Sequence, residues 1–446
     1  MHRPVRPRGD MHVLHVTEYA HVDSTGGIQR YLAGLLPEMA SSGVRSALMW
    51  LTQTPIPSIS AGSMRVVPVA STGPDDASTQ FRGAAERALL AAGRPTVVHF
   101  HTFGRREQLI AQLCARHEIP YVFTYHYPAS LCPNRSLLRW GTTPCDGEVR
   151  PLRCTACRVV SIVRAPRAPG AATTQLARGL AVSTRRVPSV VQRQRMAAWR
   201  DAVRDFLRHC AFVLFHSPRA RPVLEINGAR ADTLYLCPPG LTAEFLSSAD
   251  GRATRTTESD SVPFVVGYVG RLDPLKGFGI LVEGFMRTDW PHARLRLVGD
   301  SSVHQRDIEY AERIKVLARR DGRVQFAGGL PLSANASLYD GMSMLAIPSV
   351  GIEGGPPLVL YEAVQLGLPV LASNRIGCPE LAARHGRIVE PNTPEQWANE
   401  LTKVFAEVQL ARQWPAEAAN RREPPRTMAE VARDIVGHYE RILDSR

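Results

Sequence analysis

Residues 264–277 read Phe-Val-Val-Gly-Tyr-Val-Gly-Arg-Leu-Asp-Pro-Leu-Lys-Gly, an apolar run of strand character that passes directly into a glycine-bounded loop and then into a helical pattern. A short apolar run between turn residues is how a strand buried on both faces reads. In open α/β sheets, ligands bind just beyond the carboxyl ends of such strands. That place here holds two cations, Arg271 and Lys276, on a loop whose glycines let the backbone approach a ligand closely. The chemistry suits a diphosphate, although the loop by itself is equally a solvated turn carrying two surface charges. Lys276 has extra weight because it, Lys315 and Lys403 are the only lysines among 54 basic side chains.

Further along, Ile347-Pro348-Ser349 is followed by Glu353-Gly354-Gly355-Pro356-Pro357 and a helical pattern from about Pro357 to Leu366, closed by Gly367 and Pro369. Proline in the first turn and glycine past the last are the expected helix boundaries. The free backbone N–H groups at such a start, around Gly354, Gly355 and Leu358, suit a phosphate. Glu362 lies roughly 7 to 8 Å along the helix axis from that start, a separation that fits a ribose beside a diphosphate. Carboxylates accept hydrogen bonds from adjacent hydroxyls, so Glu362 suits ribose and Glu353 suits a sugar. Taken alone, each glutamate reads better as a surface side chain on a helix.

The flanks repeat the pattern. ARLRLVGD (293–300), VQFAGG (324–329), MLAIPS (344–349) and PVLAS (369–373) are strand candidates with helical segments between them. In the first half, MHVLHV (11–16), TVVHFH (96–101), YVFTYH (121–126) and FVLFHS (212–217) do the same, and a helix from about Ile28 to Met39 follows the Gly26-Gly27 loop. Such alternation indicates α/β architecture with parallel sheets and helices on both faces. The polar, aperiodic stretch 247–262 reads as a linker. It divides a first domain over 11–246 from a second over 263–425, and 426–446 reads as a closing helix after Pro424-Pro425.

A chain of 446 residues with 44% hydrophobic and 21% charged side chains suits two folded domains and a cleft between them. No uninterrupted apolar stretch has membrane-spanning length, and the basic start is followed by a β-like segment, so a cytoplasmic location is expected. The net charge of +13 is concentrated: thirteen arginines between Arg150 and Arg208 face only Asp201 and Asp205.

The combination GRLDPLKG (270–277), IPS (347–349), EGGPPLVLYEA (353–363), GLPVLAS (367–373) and GCPEL (377–381) resembles the family 4 glycosyltransferases across nearly the whole chain. In the first half GGIQRY (26–31), Thr124-Tyr125-His126-Tyr127, HSPRA (216–220) and LCPPGL (236–241) resemble landmarks of the same family. The resemblance implies the GT-B fold: two Rossmann-like domains facing across a cleft, with the C-terminal helix crossing back to the first. It implies a retaining transferase that takes a nucleoside-diphosphate sugar and needs no divalent metal for catalysis. Donor contacts are then expected from Gly26, Gly27, Arg271, Lys276, Gly354, Gly355, Leu358 and Glu362. Catalytic roles fall to His126, Arg271, Lys276 and Glu353, with His126 meeting the transferred sugar or the acceptor side. One departure stands out: Glu353 and Glu362 enclose eight residues, where the family usually has seven, so the loop before the helix is one residue longer.

Cys132, Cys145, Cys154 and Cys157 form C-x12-C-x8-C-x2-C. Four thiolates suit tetrahedral zinc, and a structural zinc knuckle ordering the acceptor-side loop is expected; reduced thiols packing a loop and a disulfide are the alternatives. Between Arg150 and Arg208 the arginines mix with Val159, Val160, Ile162, Val163, Leu176, Val190, Val191, Met196 and Trp199. Peripheral contact with the inner face of the membrane, serving a lipid-linked acceptor, and a solvated helical face are equal readings. Nucleic acid is not expected, because stacking aromatics are sparse. The acceptor stays open between polysaccharide, lipid-linked glycan and small molecule. A sugar phosphorylase or synthase of the same fold, a catalytically silent sugar-nucleotide binder and an anionic-surface binder are the rival functions.

Overall fold

The computed structural model describes residues 11–18, 26–52, 60–61, 64–71, 78–91, 93–164, 186–250, 263–301, 305–329, 335–411 and 425–444. Its first half is built on strands β1 (His12–Thr17), β2 (Arg45–Thr52), β3 (Ser60–Ala61), β4 (Met64–Ala70), β5 (Val97–Phe100) and β6 (Tyr121–Tyr125). A small hairpin, β7 (Leu138–Arg139) and β8 (Thr143–Pro144), precedes β9 (Val213–Phe215) and β10 (Leu234–Leu236). Leaving out the hairpin, these strands form one sheet in the order β10-β9-β6-β5-β1-β2-β4-β3, parallel except for the β3–β4 pair. All six residues of β1 are buried, as they must be in a parallel strand covered on both faces.

Two apolar layers cover this sheet. On one side pack Phe81 and Ala85 of α2 (Thr79–Ala91), Ile110 and Leu113 of α3 (Arg105–Arg116), and Val203 and Phe206 of α5 (Arg186–His209). Helix α4 (Pro151–Arg164) lies earlier in the chain. On the other side Ile28, Leu32 and Leu35 of α1 (Gly27–Ser41) pack with Met428, Val431, Ile435 and Tyr439 of the C-terminal helix, residues Met428–Asp444. The closing helix therefore does cross back to the first sheet. Its period-3.6 apolar stripe is what α1 buries.

The second sheet is fully parallel: β11 (Phe264–Val269), β12 (Ala293–Val298), β13 (Val324–Phe326), β14 (Met344–Ile347), β15 (Val370–Ser373) and β16 (Gly386–Val389), in the order β13-β12-β11-β14-β15-β16. One face is covered by α6 (Phe278–Phe285), α7 (Gln305–Ala318) and α9 (Pro394–Ala411), the other by α8 (Leu358–Gln365) and the short helix Ala243–Ala249. In each sheet the strand order reverses once next to the first strand, between β1 and β5 and between β11 and β14. Adjacent strands there send their outgoing loops to opposite faces and leave a crevice.

Two details differ from the sequence reading. The expected linker at 247–262 begins as helix through Ala249, capped by Thr242, whose hydroxyl accepts from Phe245 N at 3.1 Å; residues 251–262 lie outside the described residues. Strands β2, β4, β10 and β16 were not anticipated. β4 contains Pro68, which removes a backbone donor and weakens a strand pattern. β10 and β16 are too short to carry a period and sit at sheet edges.

Candidate active site

The loops after β11 and β14 carry Lys276 and Glu353, 77 positions apart, and the strand-order reversal brings them together. Gly277 has φ +76°, and a Cβ there would lie 1.9 Å from Pro348 O, so only glycine allows the two loops to touch. Asp273 caps the turn Pro274–Lys276 by accepting from Lys276 N at 2.9 Å. The same carboxylate pairs with Arg271 at 3.0 Å. Lys276 Nζ donates to Glu353 Oε1 at 2.7 Å, and Ser349 Oγ donates to that oxygen at 2.6 Å. Arg271, Lys276 and Glu353 thus meet at one strand-end crevice, each cation resting on a carboxylate of its own domain.

Glu362 is placed differently from a ribose contact open to solvent. It is 2% exposed and accepts from Tyr339 Oη and from Arg30 of the facing domain. Burial opposes the charge of Arg30, and the adjacent Glu362 more than offsets this, raising its pKa. Burial and the neighbouring Glu362 carboxylate also push the Tyr339 hydroxyl far up. Arg30 and Tyr339 were missed in the sequence. Arg30 had a signal: it stands one turn into the helix that opens at Gly26-Gly27, where it can reach over the helix start.

Gly26 precedes α1, and Gly27 is its first residue; the described residues supply no side-chain cap and no acidic group in the first turn. A helix start of this kind suits an anion. The other two expected glycines lie at the seam between the domains. A Cβ on Gly355 would lie 2.6 Å from His216 Cβ, and one on Gly354 would lie 3.0 Å from Tyr127 Cα and 3.1 Å from His126 O. They let the second domain close flush onto the first. Leu358 opens α8, which also lacks a side-chain cap. His126 is half-buried, and both its ring nitrogens are engaged by other histidines, His101 at 3.0 Å and His216 at 3.1 Å.

Further bonds hold the cleft together: Ile352 N donates to Ser136 O at 2.9 Å and Arg219 to Asn374 O at 2.8 Å. Between the domains a cavity of about 200 Å³ remains, lined by Tyr125, Leu137 and Cys145 on one side and Ile352, Glu353 and Gly354 on the other. That is smaller than the roughly 300 Å³ at which ligand pockets begin. The charges of the cleft are paired with each other: Arg271 with Asp273, Lys276 with Glu353 and Arg30 with Glu362.

The four cysteines are not gathered as a ligand set. Among the described residues, His15, His99 and His101 form the one group of three with metal-ligand spacing. Cys132, Cys145 and Cys154 are near enough to interact electrostatically. The Cys157 sulfur instead accepts from Asn134 Nδ2 at 2.9 Å and Trp140 N at 3.3 Å. Of the arginine-rich segment, residues 165–185 lie outside the described residues. Within α5, Met196 is buried, Trp199 donates to Leu131 O at 2.9 Å, and Val191 is exposed. No helix among the described residues is long and apolar enough to cross a membrane.

Two parallel Rossmann-like domains closed over a cleft, with a C-terminal helix returning to the first, constitute the GT-B architecture. A "glycosyl transferase 4-like domain" model matches residues 26–157, and a "glycosyl transferases group 1" model matches 263–407. The chain belongs to family 4 of the glycosyltransferases. It is 29% identical over 201 residues to a D-inositol 3-phosphate glycosyltransferase of Corynebacterium jeikeium, covering 42% of this chain and 47% of that one. To the protein of that name from Acidothermus cellulolyticus it is 31% identical over 199 residues, covering 42% and 43%. The match thus spans about half the length of these curated relatives. Sucrose-phosphate synthase from Thermosynechococcus elongatus superposes with a TM-score of 0.68 at 20% identity, covering 98% of this chain and 100% of that one. Anabaena HepE in complex with UDP and glucose gives 0.63 at 17%, with the same coverage.

Proposed function

We propose that the protein is a retaining glycosyltransferase that moves a sugar from a nucleoside-diphosphate sugar to a hydroxyl of a glycan, lipid-linked or small-molecule acceptor. The observation that carries this reading is the pairing in the cleft, Lys276 with Glu353 and, across the domains, Arg30 with Glu362. Each pair joins a cation suited to phosphate with a carboxylate suited to hydroxyls. A donor entering the opened cleft exchanges these internal partners for its own: diphosphate for Glu353 on Lys276, ribose hydroxyls for Arg30 on Glu362.

The chemistry follows from charge. Breaking the glycosidic bond leaves negative charge on the nucleoside diphosphate, and preorganised donors in a water-poor site stabilise it. Arg271, Lys276 and the open N-termini of α1 and α8 supply those donors without a divalent metal. Glu353 orients the sugar, and the His126 segment forms the opposite wall. Peripheral membrane contact through the arginine-rich helices belongs to the lipid-linked version of this proposal.

A thermal-shift screen with UDP-, GDP-, ADP- and dTDP-sugars identifies the donor, because a ligand that binds only the folded state raises its melting temperature. Lys276→Ala removes one charge-assisted contact worth roughly 1.5–3 kcal/mol, so nucleotide affinity should fall about 10-fold to 150-fold. No nucleotide release from any donor, together with unchanged nucleotide affinity in Lys276→Ala, would overturn the proposal in favour of a silent binder.

A structural zinc in the cysteine segment is the second proposal. It is supported by the nearness of Cys132, Cys145 and Cys154; burial pushes the Cys132 thiol up, and the backbone amides of Leu137, Asn134 and Ser136 oppose that, as they would for a metal-bound thiolate. Binding requires the four sulfurs to converge further than they do here. Purified protein should contain about one zinc per chain, lost with melting temperature in Cys154→Ser/Cys157→Ser. Metal-free protein of full stability sinks the idea.

A further inference from the structure

The carboxyl ends of four neighbouring strands, in the order β9, β6, β5, β1, each present a histidine to the layer under α1. His216 and His126 directly follow β9 and β6, His101 directly follows β5, and His15 lies inside β1. Strands spaced about 4.8 Å apart bring the four imidazoles into a single file. His216 Nε2 meets His126 Nδ1 at 3.1 Å, His126 Nε2 meets His101 Nδ1 at 3.0 Å, and His101 Nε2 meets His15 Nδ1 at 2.9 Å. Tyr31 of α1 lies across the file, with ring centroids 4.9 Å from His126 and 5.3 Å from His216.

The direction of every proton in this file follows from one anchor. His216 Nδ1 lies 2.7 Å from Cys237 O, and a carbonyl can only accept. His216 therefore carries its proton on Nδ1 and, when neutral, offers a bare Nε2. His126 must then donate from Nδ1, His101 from Nδ1 and His15 from Nδ1. The last bare nitrogen predicted by this sequence is His15 Nε2, which is buried and without a partner among the described residues. A second proton at an inner position would meet the N–H of the next ring unless every ring beyond it reversed its tautomer, and burial favours the neutral form at all four. The file is also closed at the Cys237 carbonyl, which rules out a proton path through it.

A metal on His15, His99 and His101 fits less well. Both His99 nitrogens are engaged, Nδ1 by Tyr439 Oη at 2.5 Å and Nε2 by Thr124 Oγ1 at 2.7 Å, and both His101 nitrogens belong to the file.

We infer that His216, anchored on the Cys237 carbonyl, is a positioning residue that fixes the tautomer and ring orientation of His126 at the cleft wall. The consequence for turnover rests on the glycosyltransferase reading above; the tautomer itself does not. The fixed ring holds the main chain at His126, whose carbonyl oxygen faces Gly354 at the closing seam, and His216 itself seats Gly355.

The test uses full-length protein with ring-15N histidine at pH 7.5. Wild type should show His126, His101, His15 and His216 as neutral Nδ1–H tautomers, the form that free histidine in water disfavours. His216→Gln keeps a donor for Cys237 O and an acceptor for His126 and should preserve the His126 tautomer, with kcat within about threefold. His216→Leu should release the tautomer and lower kcat about tenfold or more, with the donor KM within about twofold. His15→Leu removes the far end and should leave the His126 tautomer intact, because the direction is set from Cys237. An Nε2–H or charged His126 in wild type overturns the inference. So does loss of the tautomer in His15→Leu, or a released tautomer in His216→Leu with unaltered kcat. If wild type turns over no donor, the glycosyltransferase reading fails while the tautomer spectra still decide whether His216 fixes His126.

Discussion

Glu362→Leu should abolish measurable nucleotide binding and destabilise the protein by roughly 3–5 kcal/mol, the cost of leaving one member of a buried ion pair uncompensated. The stranded group is Arg30, whose side chain is only 13% exposed and whose partner Glu362 has a side chain only 3% exposed. Tyr339 loses its acceptor in the same change. The two effects separate in a double-mutant cycle. Arg30→Met/Glu362→Leu removes both charges and should regain most of the stability, read as a recovered urea midpoint, because an apolar replacement of a buried pair is often neutral or better. Nucleotide affinity should not return, since the carboxylate that meets the ribose is still missing. Arg30→Met alone should keep binding. If the double variant regains nucleotide affinity together with stability, Glu362 is only a clamp between the domains and has no contact with ribose.

Acid should unfold this protein unusually early. Burial holds His15 down to about 3 and His216 down to about 4, and it lowers His99, His101 and His126 well below their ordinary value. These groups stay neutral in the folded state while the unfolded chain takes up protons below about pH 6.5. Stability is therefore full above pH 6.5 and falls as the pH drops toward the folded-state values, by about 1.4 kcal/mol per pH unit for each imidazole. For His15 and His216, held at about 3 and about 4, this amounts at pH 5 to about 2 kcal/mol each, and His99, His101 and His126 act in the same direction, against a typical total of about 5–15 kcal/mol. Urea unfolding of Glu107→Gln at pH 7.5 and 5.5 checks the slope, because burial raises the Glu107 carboxyl to about 8 and its titration works in the opposite direction over this window. A total change below about 1.4 kcal/mol per pH unit would mean that these histidines protonate within the folded protein.

The cationic crevice of the second domain was legible in the sequence because its signals are local. Gly270 to Gly277 and Ile347 to Glu362 each follow an apolar strand, and strand-end loops are where such sheets place ligands. What could not be read was which charge each side chain already holds. Lys276 on Glu353 spans 77 positions and Arg30 on Glu362 spans 332, and no periodicity encodes partners at that distance. The glycines at 354 and 355 were assigned to a phosphate by helix-start logic. Their close approach to Tyr127, His126 and His216 comes from the opposite domain, which no local pattern reports. The cysteines show the reverse case: C-x2-C spacing suggests a chelating pair, yet the α4 backbone turns the Cys157 sulfur toward Asn134 and Trp140.

The histidines mark the boundary most clearly. Four of them sit at similar places in strands that read as ordinary buried β, and each alone is one polar residue near a strand end. The sequence by itself determined the α/β class, the two Rossmann-like halves, the returning C-terminal helix and the cationic loop after β11, because buried parallel strands, helical stripes and glycine-bounded turns are written in short-range patterns. Only the tertiary structure decided that β9, β6, β5 and β1 lie side by side, that their imidazoles form one directed file, and that Arg30 closes on Glu362. Strand order and domain closure are settled by packing between distant segments, and charge and proton partners follow from that packing.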